Sequence, residues 1–240
     1  EAFFTNKNNC RLVLAKVKDP QRFGVAEIKD GKVITVEEKP TNPRSPFAVT
    51  GLYIYDHSIF EAVNHISMSA RGELEISNAH QYLINNGFDV GYSEITGWWK
   101  DTGRPDDLLE ANRLIWHKIT EDVEPKIMGE VDISSDIVGK AIVEKGAKVI
   151  KSVIRGHVII GENTLIENSY IGPFTSIYHG CEIKNSEIEY SIVLENCKII
   201  DADIRIEGSL LGQGVKIYKK ISKPHTQRFV LGDQSTVELT

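Results

Sequence analysis

Residues 153–183 read VIRGHVIIGENTLIENSYIGPFTSIYHGCEI. Aliphatic side chains recur at every sixth position: Val153, Ile159, Leu165, Ile171, Ile177 and Ile183. A helix repeats every 3.6 residues and a strand every two, so neither sustains a six-residue interval. A hexapeptide repeat is the mark of a parallel β-helix, in which each short strand places one aliphatic side chain inside. Upstream, Val131, Ile137, Val143 and Val149 keep the same interval, followed by a slip of four. Downstream, Ile188, Val193, Ile199, Ile204, Leu210 and Val215 continue it at five or six. Gly161, Asn163, Gly172, Gly180, Asn185 and Asn196 fall at the corners, where the backbone must turn sharply. At about 18 residues per coil, residues 131–218 make roughly five coils.

Ahead of this region the pattern changes. Arg11–Val17 reads as a strand ended by Asp19-Pro20. Phe23–Ile28 and Lys32–Glu37 read as a hairpin turning at Asp30-Gly31. Ala48–Tyr55 is nearly continuous in apolar residues, which predicts a strand buried on both faces. Asp56 is placed to cap a short helix through Ile59, Phe60 and Val63. Ile76, Ala79, Tyr82 and Leu83 lie at helical spacing before a stop at Gly87. A last helix starts at Pro105, with Asp106 and Asp107 at its positive end and Leu108, Leu109, Ala111 and Ile115 as its apolar side. Strands and helices in this order imply an α/β sandwich over residues 1–117. Residues 118–130 read as a polar linker, and 219–240 as a tail with one or two strands between Arg228 and Leu239 around Gly232-Asp233.

Composition narrows the function. Charged residues make up 26% and the net charge is −6, which argues against nucleic-acid binding. No apolar run approaches the roughly 20 residues that span a bilayer. The three cysteines, Cys10, Cys181 and Cys197, form neither a disulfide framework nor a Cys-x-x-Cys pair, as in a reducing cytoplasm.

Four stretches then matter together: Asp19-Pro20-Gln21-Arg22-Phe23-Gly24-Val25, Glu37-Glu38-Lys39-Pro40, Val49-Thr50-Gly51-Leu52-Tyr53 and Trp99-Lys100-Asp101-Thr102-Gly103. With Arg71-Gly72-Glu73-Leu74-Glu75-Ile76, this ordered set resembles the second half of a sugar nucleotidylyltransferase domain. A β-helix behind it is similar to the long type of glucose-1-phosphate thymidylyltransferase. The resemblance implies a partial, Rossmann-like α/β nucleotidyltransferase domain followed by a left-handed parallel β-helix. It covers residues 10–116. The family's glycine-rich nucleotide loop and first metal-binding aspartate belong upstream, so the chain is expected to lack the front of the domain and to turn over little substrate alone.

Carried over by position, the resemblance gives Glu38 to sugar hydroxyls and Lys39 to the phosphate of a sugar 1-phosphate. Gly24 and Val49 line the sugar pocket, and Asp101 holds a catalytic Mg²⁺. The chemistry suits these roles. Lysine is a compact charge for phosphate. Magnesium takes oxygen ligands from one or two carboxylates plus substrate phosphates. Adjacent residues on a strand point to opposite faces, so Glu38 and Lys39 reach one ligand only if the strand ends there, as Pro40 suggests. The partners implied are a sugar 1-phosphate (glucose 1-phosphate) and a nucleoside triphosphate (dTTP or UTP), in a cytoplasmic homo-oligomer.

Other readings of the same residues stay open. Glu37-Glu38-Lys39 also suits a solvated strand end, and Asp101 or Thr102 a helix cap. A single Asp-Thr-Gly between Lys100 and Arg104 does not make an aspartic protease, which needs two carboxylates. Trp98 and Trp99 suit packing better than sugar stacking. His157 and His179 raise an acyltransferase role for the β-helix, with a histidine base acetylating an amino-sugar phosphate. The third role for the β-helix is subunit assembly.

Overall fold

The computed structural model describes residues 1–119, 126–219, 227–232 and 235–238. The chain divides into two compact units, Glu1–Asp101 and Thr102–Thr240. The division falls ahead of the helix that opens at Pro105, so that helix belongs with the β-helix.

The first unit is an α/β sheet. After a short helix α1 (Ala2–Thr5), strands β1 (Cys10–Lys16), β2 (Gly24–Lys29), β3 (Lys32–Glu38), β4 (Phe47–Tyr55) and β5 (Val90–Glu94) form one sheet in the order β3-β2-β4-β1-β5. β1 runs antiparallel to β4 and parallel to β5. Asp30 and Gly31 both adopt positive φ, 50° and 78°, as a two-residue hairpin of this hand requires. Helices α2 (Ser58–His65) and α3 (Ile76–Asn85) follow β4. Asp56 Oδ1 accepts from the Ser58 N–H at 2.8 Å and so satisfies one free donor of the first turn of α2. Cys10, Leu12 and Leu14 of β1 join Ala62 of α2 and Ala79 and Leu83 of α3 in one buried core.

β4 departs from the expectation of burial on both faces. Val49, Tyr53 and Tyr55 pack against the core, but Leu52 is 61% exposed and Ile54 49%. Their aliphatic character reflects a sheet face that nothing in this unit covers.

The second unit opens with α4 (Pro105–Ile119). Its buried side chains are Asp107, Leu109 and Trp116, whereas Leu108 and Ile115, expected on the apolar side, are 43% and 46% exposed. Short strands from Lys126–Ile127 to Lys216–Tyr218 then stack into three parallel sheets of six, five and six strands. This is a parallel β-helix of about five coils. Residues 227–232 and 235–238 carry no strand, contrary to the expectation of terminal strands; Asp233 and Leu239 lie outside the described residues. Among the described residues no helix is long and apolar enough to cross a membrane.

The coil repeats every 17 residues through its middle, where Lys148 pairs with Leu165 and Leu165 with Glu182, and every 16 or 18 toward its ends. That spacing changes which aliphatics point inward. Ile154, Ile160 and Ile166 are fully buried, while their neighbours Val153, Ile159 and Leu165, expected inside, are only half-buried. Ile171, Ile177, Ile183, Ile188, Val193 and Ile199 are inside as expected. In the last coil Ile206 and Leu211 pack inward in place of Ile204 and Leu210.

Corners are closed by two devices. Asn163, Asn168, Asn185 and Asn196 take left-handed φ between 46° and 60°, which asparagine tolerates better than most residues. Gly161 is needed for space instead: a Cβ there would stand 2.5 Å from the Tyr178 carbonyl carbon of the next coil. A run of serines adds hydrogen bonds between coils: Ser135 Oγ accepts from the Ser152 N–H, Ser152 Oγ from Ser169, and Ser169 Oγ from Ser186.

One interior position breaks this economy. The Thr175 hydroxyl is fully buried and has no hydrogen-bond partner among the described residues. Thr175→Val keeps the shape and removes the unpaired group. It is expected to raise stability by about 1 kcal/mol, read as a higher urea midpoint with an unchanged m-value.

Candidate active site

The site grows from the end of β3. That strand stops at Glu38, and Lys39 turns out of it with φ 43° ahead of buried Pro40. The Lys39 N–H donates to Phe23 O at 2.9 Å, which ties the turn to the residue before β2. A lysine at left-handed φ is uncommon and costs free energy, and such residues concentrate at functional sites. The turn breaks the alternation that would send Glu38 and Lys39 to opposite faces of a strand. Lys39 is exposed and Glu38 half-buried.

Three expected residues meet at one place. Gly24 pairs with Glu38 across the β2–β3 ladder. A Cβ on Gly24 would stand 3.1 Å from Glu38 Oε2, 2.8 Å from Ser77 Oγ and 3.7 Å from Val49 Cβ. Glycine therefore lets Glu38, Val49 and Ser77, at the start of α3, pack closely over the β2 backbone. Ser77 Oγ donates to Glu38 Oε2 at 2.6 Å and fixes the carboxylate.

Arg71 completes the surround. Its guanidinium lies 3.0 Å from Glu73 Oε2, 3.5 Å from Glu75 Oε1 and 3.8 Å from Glu38 Oε1. Glu75 is nearly buried and also accepts from Ser69 Oγ at 3.0 Å. Glu38, Arg71 and Glu75 line an open groove of about 430 Å³ with Asn78 and Gln81. Another groove, of about 530 Å³, lies by β5, where Lys32 and Arg11 are engaged by Asp89, Asn8 and Ser93. It contains none of the expected site residues.

Asp101 stands apart from the Glu38 network. Trp99 packs edge-on against Phe23 at 5.3 Å between ring centres, so the segment leading to Asp101 runs beside the residue before Gly24. Trp99 thus packs, as expected of both tryptophans, whereas Trp98 is 48% exposed. The Asp101 carboxylate is half-buried and takes part in none of the hydrogen bonds or ion pairs of the described residues. No group of three or more His, Cys, Asp or Glu side chains is gathered for a metal among those residues.

Ser77 and Arg71 are the residues that sequence reasoning left without a role. Arg71 sat in a quoted motif, and a cation two and four residues ahead of glutamates was its signal. Ser77 carried none.

Behind the groove, His80 is fully buried, with Nε2 2.6 Å from the Tyr55 hydroxyl and Nδ1 unpaired among the described residues. Burial pushes its pKa down to about 4. Tyr53, raised by burial and by the Glu38 charge, lies tilted beside it with ring centres 5.0 Å apart. His80 is thus neutral when folded and protonates near its ordinary value, about 6.5, when unfolded. The unfolded state binds the extra proton first, so stability from this group is full above that value and is lost as pH falls toward about 4. Urea melts of the first unit are expected to lose midpoint over this window, and His80→Gln to flatten the loss.

The β-helix histidines do not share a corner. His157 lies under Phe174 of the next coil, whereas the His179 carbonyl accepts from the Asn196 N–H. His157 is enclosed by aromatic rings and His179 is exposed beside Tyr178.

Comparison with known proteins places the chain among relatives. The nucleotidyl transferase family matches residues 2–118. A glucose-1-phosphate thymidylyltransferase of Streptomyces antibioticus is 47% identical over 230 residues, covering 95% of this chain and 63% of the relative. One from Streptomyces griseus is 44% identical, covering 99% and 66%. The low-salt glycan biosynthesis nucleotidyltransferase Agl11 of Haloferax volcanii is 34% identical over the whole chain and 67% of its own length. The chain spans about two thirds of the length of these relatives. With a nucleotidyl transferase match in front and a parallel β-helix behind, the chain belongs to the nucleotidyl transferase family.

Proposed function

We propose that the complete protein joins a nucleoside triphosphate, dTTP or UTP, to a sugar 1-phosphate, with glucose 1-phosphate as the first candidate, and releases pyrophosphate. This chain carries the sugar-phosphate side of that site. The supporting observation is the convergence of Gly24, Glu38, Val49 and Ser77 on one space, with the Lys39 ammonium leaving the same turn.

In this reading Glu38, aligned by Ser77, accepts hydrogen bonds from sugar hydroxyls. Gly24 lets the Ser77–Glu38 pair pack against the β2 backbone at the side of the sugar pocket. Lys39 meets the phosphate, whose oxygen attacks the α-phosphorus in line; the bond to the β-phosphate oxygen breaks and pyrophosphate leaves. Positioning and charge neutralisation supply the catalysis, and no covalent nucleophile is needed. Asp101 offers hard oxygen ligands and is the residue to hold Mg²⁺. One carboxylate with substrate phosphates is a donor set that magnesium accepts. When bound, the ion neutralises charge developing on the phosphates.

Two measurements test the reading. Glucose 1-phosphate added to the 240-residue chain should shift the amide resonances of Gly24, Lys39 and Ser77; unchanged resonances at saturating ligand would discard the sugar site. In the complete protein, Asp101→Asn should raise the Mg²⁺ concentration for half-maximal nucleotide-sugar formation by about tenfold or more and lower the maximal rate. An unchanged Mg²⁺ requirement would remove Asp101 from metal binding. For the β-helix we favour assembly of a homo-oligomer, which light scattering on the whole chain would reveal as a mass above that of one chain.

A further inference from the structure

We propose that α4 is latched to the β-helix by a cluster of four rings, Trp116 and His117 from α4 against His157 and Phe174 from the coil, and that acid releases it while the coils stay folded. This inference does not rest on the nucleotidyl-transfer reading.

The latch is a stack of four rings. His157, at a corner of the coil, lies parallel to Phe174, with an interplanar angle of 7° and ring centres 5.4 Å apart. From α4, Trp116 reaches within 5.7 Å of the His157 ring and His117 within 6.1 Å. His117 also lies 5.6 Å from Phe174. Trp116 is almost wholly buried there. A second anchor is neutral: Asn112 donates to Phe174 O at 2.9 Å and accepts from Ser176 Oγ at 2.7 Å. A third, from the Tyr190 hydroxyl to Glu110, is long at 3.5 Å, and Glu110 is already paired with Arg113.

Charge decides the response to pH. Two groups act on His157: His117 from α4 and Lys140 from the turn ahead of Ala141–Val143. Both are cationic when protonated. These two are the charged groups that shift His157, and Glu110 of α4 is engaged by Arg113. Burial first, then these cations, holds His157 below its ordinary value. A proton taken up must therefore sit between aromatic rings and beside like charge, whereas a detached histidine takes it in water. Binding of the proton favours the detached form, so the attachment is complete above the ordinary histidine value and weakens as pH falls below it.

Amide hydrogen exchange on the 240-residue chain tests the latch. Between about pH 7.5 and about pH 5, corrected for intrinsic exchange, α4 amides are expected to lose at least about tenfold protection, while strands 165–167 and 182–184 keep theirs. His157→Phe preserves the ring stack and cannot take a proton; its α4 should stay protected at both pH values. His117→Gln removes one cation and should move the loss to lower pH. The latch is refuted by wild-type α4 protection that ignores pH, by α4 and the strands losing protection together, or by variants as acid-sensitive as the parent.

Discussion

Lys39→Gly in the complete enzyme is expected to lower kcat/KM for the sugar 1-phosphate by about 10²- to 10³-fold while leaving the fold at least as stable. Two features of one residue set these opposite effects. Lys39 is exposed at the turn that ends β3, where the proposed phosphate would meet its ammonium. The backbone stands at φ 43°, where an L-residue pays for its Cβ and glycine does not. Relief of that strain is worth up to about 1 kcal/mol. Lys39→Ala keeps the Cβ, so it should lose activity equally without the gain in stability. Steady-state kinetics beside urea melts separate the outcomes. Near-normal rates in both variants would remove Lys39 from the site, and a lower melting midpoint in Lys39→Gly would mean that its aliphatic stem supports the fold.

Ile166→Ala is expected to destabilise the β-helix by about 2–5 kcal/mol, and Leu165→Ala by about 1 kcal/mol or less. Ile166 is enclosed by neighbours on the coils above and below, and deleting its side chain leaves a cavity those coils cannot fill. Leu165 is half-buried on the outer side of the same strand and leaves no such cavity. A larger loss at Leu165 than at Ile166 would show that the hexapeptide count, with Leu165 inside, had the register right.

The site was partly legible. Gly24, Glu38 and Val49 were named from an ordered set of motifs, and folding brings them together because β2, β3 and β4 are neighbours in one sheet. Ser77 and Arg71 were not assigned, since they approach from the loop and helix start after α2, with no spacing relation to Glu38. A hydrogen bond between residues 39 apart in the chain is a product of the fold and leaves no periodic trace.

What the chain determined by itself was the kind of structure: Asp30-Gly31 fixes a hairpin, and a run of aliphatics near every sixth position fixes a β-helix. Local backbone preference and repeat length suffice for these. Only the tertiary structure decided which side chain of each doublet points inward. Val153-Ile154, Ile159-Ile160 and Leu165-Ile166 each offer two aliphatics of nearly equal transfer free energy, so hydrophobicity alone cannot choose between them. The choice falls to the 17-residue coil, which stacks Ile166 over Val149 and under Ile183. The same holds for α4, whose buried Trp116 and exposed Leu108 follow from the Phe174–His157 corner it docks on, not from its own amphipathic pattern.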